Sequence, residues 1–257
     1  MRYHMPYLLL LCLFATFGLT ATARAGIQTN NVDYTVDGQT FEGYYARNSG
    51  LGAHQPLVVI VPDWDGLNAY EKRRARMLAE SGYGAFAIDL YGKGVHPGTA
   101  AEMKKLSGAL YANRQTMRQR LRGALRAARQ LTGVDPARIV VIGYCFGGAA
   151  TLELARAGAR VKGFVVFHGN LNTPAGEDYS HVRAPVLILH GSRDAASPMA
   201  VVARLAQELD RANVHYTMKI YSGTPHAFTV WSGDRYMGWA DLDSWAELEA
   251  FLQRHLR

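Results

Sequence analysis

The sequence predicts an α/β architecture, a mostly parallel central sheet with helices on both faces. Three observations carry this. Short β-branched runs such as Pro56-Leu-Val-Val-Ile-Val61 and Arg138-Ile-Val-Val-Ile-Gly143 read as strands buried on both faces. Segments of helical periodicity alternate with such runs, the order that generates parallel pairing. Apolar residues make up 49% of the 257 and charged residues 19%, a globular balance. No repeat or low-complexity tract breaks the chain after Gly26, so residues 26–257 are expected to form one domain.

Residues 1–25 read as a signal peptide rather than as part of the fold. Arg2 and His4 precede an apolar stretch from Leu8 to Phe17, and Ala23-Arg24-Ala25 supplies the small residues a signal peptidase reads. The apolar stretch is well short of the ~20 residues a membrane span needs. Cys12 is not preceded by small residues, which argues against a lipid anchor. The expectation is an exported protein, periplasmic or secreted, with no membrane association after cleavage. Cleavage before Gly26 removes Arg2, Arg24 and Cys12, lowering the formal net charge of +7 by two and leaving Cys145 as the one thiol.

The remaining elements follow in order. Val32 to Tyr45 alternates around Asp37-Gly38, a hairpin signal, and the run from Pro56 to Val61 is the first buried strand. Leu67 to Gly82 is a helix closed by its glycine, and Gly84 to Asp89 is the next strand. The Gly- and Pro-containing stretch from Tyr91 to Thr99 is a loop, followed by helices at Ala100–Asn113 and Gln115–Leu131. After the strand at Arg138–Gly143 comes a helix to Ala157. Strands at Val161–Phe167, Pro185–His190 and Val214–Tyr221, with helices at Met199–Ala212 and Leu242–Leu256, complete the chain.

Several function classes are disfavoured. Arg118, Arg122, Arg126 and Arg129 fall between apolar Met117, Leu121, Leu125 and Ala128, which is the solvated face of an amphipathic helix. No nucleic-acid motif accompanies that charge, so no nucleic-acid partner is expected. There is no His-Glu-x-x-His, no clustered Cys/His spacing and no Cys-x-x-Cys, so neither a metal nor a redox dithiol is expected. Gly143-Tyr-Cys-Phe-Gly-Gly148 lacks dinucleotide-fingerprint spacing, and no cofactor is expected.

That same stretch carries the chemistry. Gly143-x-Cys145-x-Gly147 between a strand and a helix is the nucleophile-elbow pattern Gly-x-Ser-x-Gly with sulfur in place of the hydroxyl. The glycines leave room for a sharp turn that lifts Cys145 clear of the sheet, over a helix N-terminus whose partial charge is expected to favour a thiolate. A thiol so placed needs a base, and the base an orienting acid. Asp194 follows the strand ending at His190, and His226 lies in the loop after the strand ending at Tyr221. Of the histidines beyond residue 25, His54, His96, His168, His181 and His190 precede Asp194. His215 is assigned to a strand and His255 to a helix. His226 therefore combines the order Cys–Asp–His with a loop position.

The quoted elbow, His190-Gly-Ser-Arg-Asp194, Gly223-Thr-Pro-His-Ala-Phe228, Asp89-Leu-Tyr-Gly92 and Asp63-Trp-Asp-Gly-Leu-Asn68 resemble the dienelactone hydrolase family of the α/β-hydrolase superfamily. The resemblance runs from about Tyr34 to the C-terminus. It implies an esterase or lactonase acting on a small molecule, in which Cys145 attacks the carbonyl, His226 transfers protons and Asp194 orients His226; a monomer is expected. It further implies an oxyanion hole from the backbone N–H groups of Phe146 and Trp64. Asp63 stands where the family has a glutamate contacting the resting thiol. The family's two carboxylate-binding arginines match Lys93 and Val230, and this exchange points toward a neutral or weakly anionic ester or lactone. Lys93, Tyr91, Trp64, Phe228 and His168 are the expected substrate contacts. The competing expectation is a non-hydrolytic thiol protein, a redox sensor or binding module on the same fold.

Overall fold

A computed structural model describes Met1 and residues 26–257; the signal-peptide reading falls on residues outside that description. The chain opens with a hairpin of β1 (Ile27–Val36) and β2 (Gln39–Asn48). Asp37 and Gly38 both take positive φ, 48° and 81°, as the twist-matched two-residue turn requires. There follow β3 (Gln55–Val61), α1 (Ala69–Glu80), β4 (Gly84–Ala87), α2 (Ala100–Ala112) and α3 (Arg114–Ala128). Then come β5 (Val134–Tyr144), α4 (Phe146–Arg156), β6 (Gly163–Phe167), β7 (Val186–Gly191), α5 (Met199–Arg211), β8 (Tyr216–Tyr221) and α6 (Gly238–Leu256).

The strands form one sheet in the order β1-β2-β4-β3-β5-β6-β7-β8. β1, β2 and β4 pair antiparallel, and every pairing from β4 to β8 is parallel. Alternation along the central strands splits the interior into two layers. Leu57, Val59, Ile139 and Val141 pack with Leu121 of α3, Leu152 of α4 and Leu205 of α5. Val58, Ile60, Val140 and Ile142 pack on the other face with Leu78 of α1 and Leu248 of α6. Covering both faces is what makes these strands apolar throughout. The register sets Val61, Gly143 and Val166 side by side, so the carboxyl ends of β3, β5 and β6 align and their following loops converge.

Several boundaries differ from the sequence reading: the hairpin runs from Ile27 to Asn48 rather than from Val32 to Tyr45, and three further differences have a local cause. β5 begins at Val134 because that residue pairs with Gln55 across an irregularity in the register with β3, ahead of the apolar run. α6 begins at Gly238, where Asp241 in the first turn joins the buried guanidinium of Arg74; Trp239 and Leu242 in that turn are exposed and give no apolar stripe. His215 precedes β8 rather than lying in it. Among the described residues no helix is long and apolar enough to cross a membrane.

Candidate active site

Cys145 sits between β5 and α4 with φ 50° and ψ −112°, a conformation that L-residues adopt only under constraint. Its neighbours impose the constraint. Its N–H donates to Phe167 O at 3.0 Å, tying the elbow to β6. A Cβ on Gly143 would stand 2.1 Å from Gly147 O, and one on Gly147 would stand 2.2 Å from Val61 O. Both positions exclude any side chain because the opposing atoms are backbone. The elbow pattern is thus a packing requirement as well as a chemical one.

The three residues from different loops meet. His226 Nδ1 lies 2.7 Å from Asp194 Oδ2, and His226 Nε2 lies 3.0 Å from Cys145 Sγ. The second oxygen, Asp194 Oδ1, accepts the N–H of Ala196 at 2.8 Å and of Ser197 at 3.3 Å. Asp194 is buried, and the His226 hydrogen bond and the neighbouring histidines hold its carboxyl below the usual range against the cost of burial. The ionised acid therefore fixes His226 with Nδ1–H toward Asp194 and Nε2 toward sulfur.

Asp63 completes the centre. Its carboxylate lines the same cavity as the Cys145 thiol, and its charge acts on the sulfur. Oδ1 of the same carboxylate accepts the backbone N–H of Trp64. Burial and Asp65 push the Asp63 carboxyl up to about 6. Burial and Asp63 push the Cys145 thiol well above its ordinary range, although the Phe146 N–H pulls the other way. Against the expectation of a thiolate from the helix N-terminus, desolvation and the carboxylate of Asp63 push toward the protonated thiol. Of the two expected oxyanion donors, Phe146 N–H faces the sulfur and Trp64 N–H is occupied by Asp63.

A cavity of about 370 Å³ opens onto the thiol, lined by Asp63, Trp64, Cys145, His226, Val230 and Arg235 among others. Trp64 is its exposed apolar wall. Other expected substrate contacts fall elsewhere. Lys93 is ion-paired with Asp33 and, at 3.5 Å, with Glu42, on the rim of a separate depression. The two acids of the β1–β2 hairpin neutralise it there. Phe228 is wholly buried, packed against Tyr221 and His168. His168 is likewise buried, its Nε2 bonded to Thr229 Oγ1 at 2.8 Å beneath the His226 ring. Tyr91 is buried behind the wall, donating its hydroxyl to Trp64 O at 2.8 Å. Motif position did not separate these core contacts from cavity contacts.

Sequence reasoning missed Arg235, the one basic residue lining this cavity, and its acidic neighbours Asp65 and Asp234. The signal was available: Ser232-Gly233-Asp234-Arg235 is turn-forming and lies just after the His226 loop, so it had to return over the site.

The model of the dienelactone hydrolase family matches residues 41–256. A Salmonella typhimurium protein named as a candidate carboxymethylenebutenolidase is 29% identical over 228 residues, covering 84% of each chain. A Bradyrhizobium protein named as a candidate 2-oxo-3-(5-oxofuran-2-ylidene)propanoate lactonase is 27% identical, covering 88% of this chain and 94% of its own. Among solved structures, a dienelactone hydrolase-like promiscuous phosphotriesterase from metagenomic libraries superposes with a TM-score of 0.85 at 30% identity, covering 90% of this chain and all of the other. With its doubly covered sheet and its elbow, the chain belongs to the dienelactone hydrolase family, carboxylic ester hydrolases of the α/β-hydrolase fold.

Proposed function

We propose that the protein hydrolyses small esters or lactones through a Cys145–His226–Asp194 triad. The observation that carries the reading is the unbroken chain Sγ–Nε2 at 3.0 Å and Nδ1–Oδ2 at 2.7 Å. His226 Nε2 takes the thiol proton as sulfur attacks the carbonyl carbon, and Asp194 stabilises the imidazolium that results. The carbonyl oxygen becomes an oxyanion held by Phe146 N–H and by Trp64 N–H once Asp63 has released it, donors typically worth a few kcal/mol. Collapse expels the alkoxide, which takes the proton from His226 and leaves a thioester on Cys145. Water then gives a proton to His226 and attacks the thioester, and the departing thiolate recovers that proton.

The relatives' names describe lactones, which supports a lactone or small ester as substrate. The redox-sensor alternative lacks a resolving partner, since Cys145 is the one cysteine among the described residues. We further propose that the protein is exported and acts as a monomer. The test is turnover of a short 4-nitrophenyl ester by residues 26–257 beside Cys145→Ala. Turnover lost in the variant supports the triad; equal turnover in both sinks it.

A further inference from the structure

One wall of the active-site cavity is irregular backbone. Val230, Gly233, Asp234 and Arg235 line the cavity, and they lie in the segment 227–237 between His226 and α6, which forms neither helix nor strand. Its own backbone bonds are mostly short turns: Val230 N–H to Ala227 O, Gly233 N–H to Val230 O and Tyr236 N–H to Gly233 O, with Met237 N–H to Phe228 O closing the base. Turns of this kind fix local shape and leave the seating of the segment on the fold to other contacts.

Those contacts come from one buried ion pair. Among the cations of α1, Arg74 alone is buried. Its Nη2 joins Asp241 Oδ1 of α6 and donates to Thr229 O at 3.1 Å, and its Nε donates to Tyr70 Oη at 3.2 Å. The other carboxylate oxygen, Asp241 Oδ2, accepts Trp231 Nε1–H at 3.1 Å and the Tyr236 hydroxyl at 3.3 Å. The Trp231 ring also covers the guanidinium, 4.1 Å from it. The segment is thus held at Thr229, Trp231 and Tyr236, which bracket the lining residues and do not themselves line the cavity. A buried ion pair seldom adds net stability, because desolvation offsets the attraction. What it adds here is direction, since the donors of a guanidinium and the acceptors of a carboxylate are fixed in a plane.

We propose that Arg74 and Asp241 are positioning residues of the hydrolase: acting through Thr229, Trp231 and Tyr236, they hold residues 230–235 in place as a wall of the cavity that opens onto Cys145. The inference rests on the hydrolase reading and deepens it. It adds to the site a residue of α1 and a residue of α6, neither of which lines the cavity. The start of the segment has anchors of its own. Asp194 holds His226, and Phe228 is buried against Tyr221 and His168. Loosening the contacts at Asp241 Oδ2 therefore frees the wall without unseating the base.

The test is a double variant, Trp231→Phe with Tyr236→Phe, which strips both donors from Asp241 Oδ2 and leaves the ion pair in place. Trp245→Phe is the control: its ring stacks on the same guanidinium at 4.9 Å, but its Nε1–H bonds Glu249 within α6. With 4-nitrophenyl butyrate the double variant is expected to show a KM raised about fivefold with kcat held, the split that marks lost binding rather than lost chemistry. Asp241→Asn, whose amide turns a donor toward Trp231, is expected to match it. Alkylation of Cys145 gives a readout independent of turnover. In the double variant the rate with N-phenylmaleimide is expected to rise about fivefold relative to that with iodoacetamide, because a loosened wall admits the bulkier reagent. That shift, with no ester turnover even in the wild type, supports the positioning role and sinks the hydrolase reading alone. Where the double variant does not fold, Trp231→Phe alone, which keeps the Tyr236 bond, is measured in its place. An unmoved reagent ratio, an unmoved KM in an active enzyme, or shifts as large in Trp245→Phe overturn the proposal.

Discussion

Asp63 Oδ1 accepts the Trp64 N–H, and the same carboxylate lines the cavity beside the Cys145 thiol, whose pKa its charge raises. One side chain therefore bears on the proposed nucleophile and occupies a donor that the proposed mechanism assigns to the oxyanion. His226 Nε2 lies 3.0 Å from the sulfur, while the Asp63 charge holds the proton on it. Attack on a substrate requires that proton to pass to His226.

Removing the charge of Asp63 should free the thiol. In Asp63→Asn the second-largest cause of the raised thiol pKa disappears while burial remains. The pH midpoint of iodoacetamide alkylation at Cys145 is expected to fall by about one unit or more. A midpoint that stays put would mean that burial alone keeps the sulfur protonated.

Asp194→Asn retains the shape of the acid but not its charge, and it allows the wrong His226 tautomer. Turnover should drop about a thousandfold with little change in KM, since the acid does not line the cavity. The same variant should melt close to the wild type if Ala196 and Ser197 still find an acceptor in the amide oxygen.

The parts of the site that were legible in the sequence are those that backbone mechanics fixes. Gly143 and Gly147 could be read because backbone atoms leave no room for a Cβ. Asp194 and His226 could be read because chain order and strand ends determine which loops converge. Phe228 belongs to the His226 motif and His168 follows β6, yet both side chains are buried rather than in the cavity; a one-residue change of facing in a loop decides this, and no period records it. Lys93 was misread for a long-range reason: Asp33 and Glu42 come from a hairpin about fifty to sixty residues earlier. Arg235 was overlooked because it lies in a turn with no motif of its own.

The repositioning of Lys93 has a direct consequence. Lys93→Ala should leave kcat/KM for any ester within about twofold, as an exposed pair away from the cavity contributes little. Trp64→Ala removes the apolar wall and should raise KM for apolar esters about tenfold. Steady-state kinetics on a neutral ester separates the two, and a large effect at Lys93 would restore it to the binding site.

Glu71 supplies the clearest dependence of stability on pH. It is wholly buried at the start of α1, where Oε2 accepts the Asn68 N–H at 3.1 Å and Oε1 faces the Asp63 N–H at 3.5 Å. Burial first, then Asp65 and Asp63, push its carboxyl up to about 8 from an ordinary 4.5. The folded protein thus holds this proton more tightly than the unfolded chain does. The stability it contributes is complete below the unfolded pKa, declines as pH rises between the two values, and is gone above about 8. Asp63, raised to about 6, acts in the same direction over a narrower window. Glu71→Gln keeps an acceptor for the Asn68 N–H and removes the titration. Its unfolding free energy should therefore gain on the wild type by up to about 4 kcal/mol between pH 4.5 and 8.5. Denaturant melts at those two pH values measure the difference, and parallel curves for both proteins would mean that Glu71 does not hold its proton in the fold.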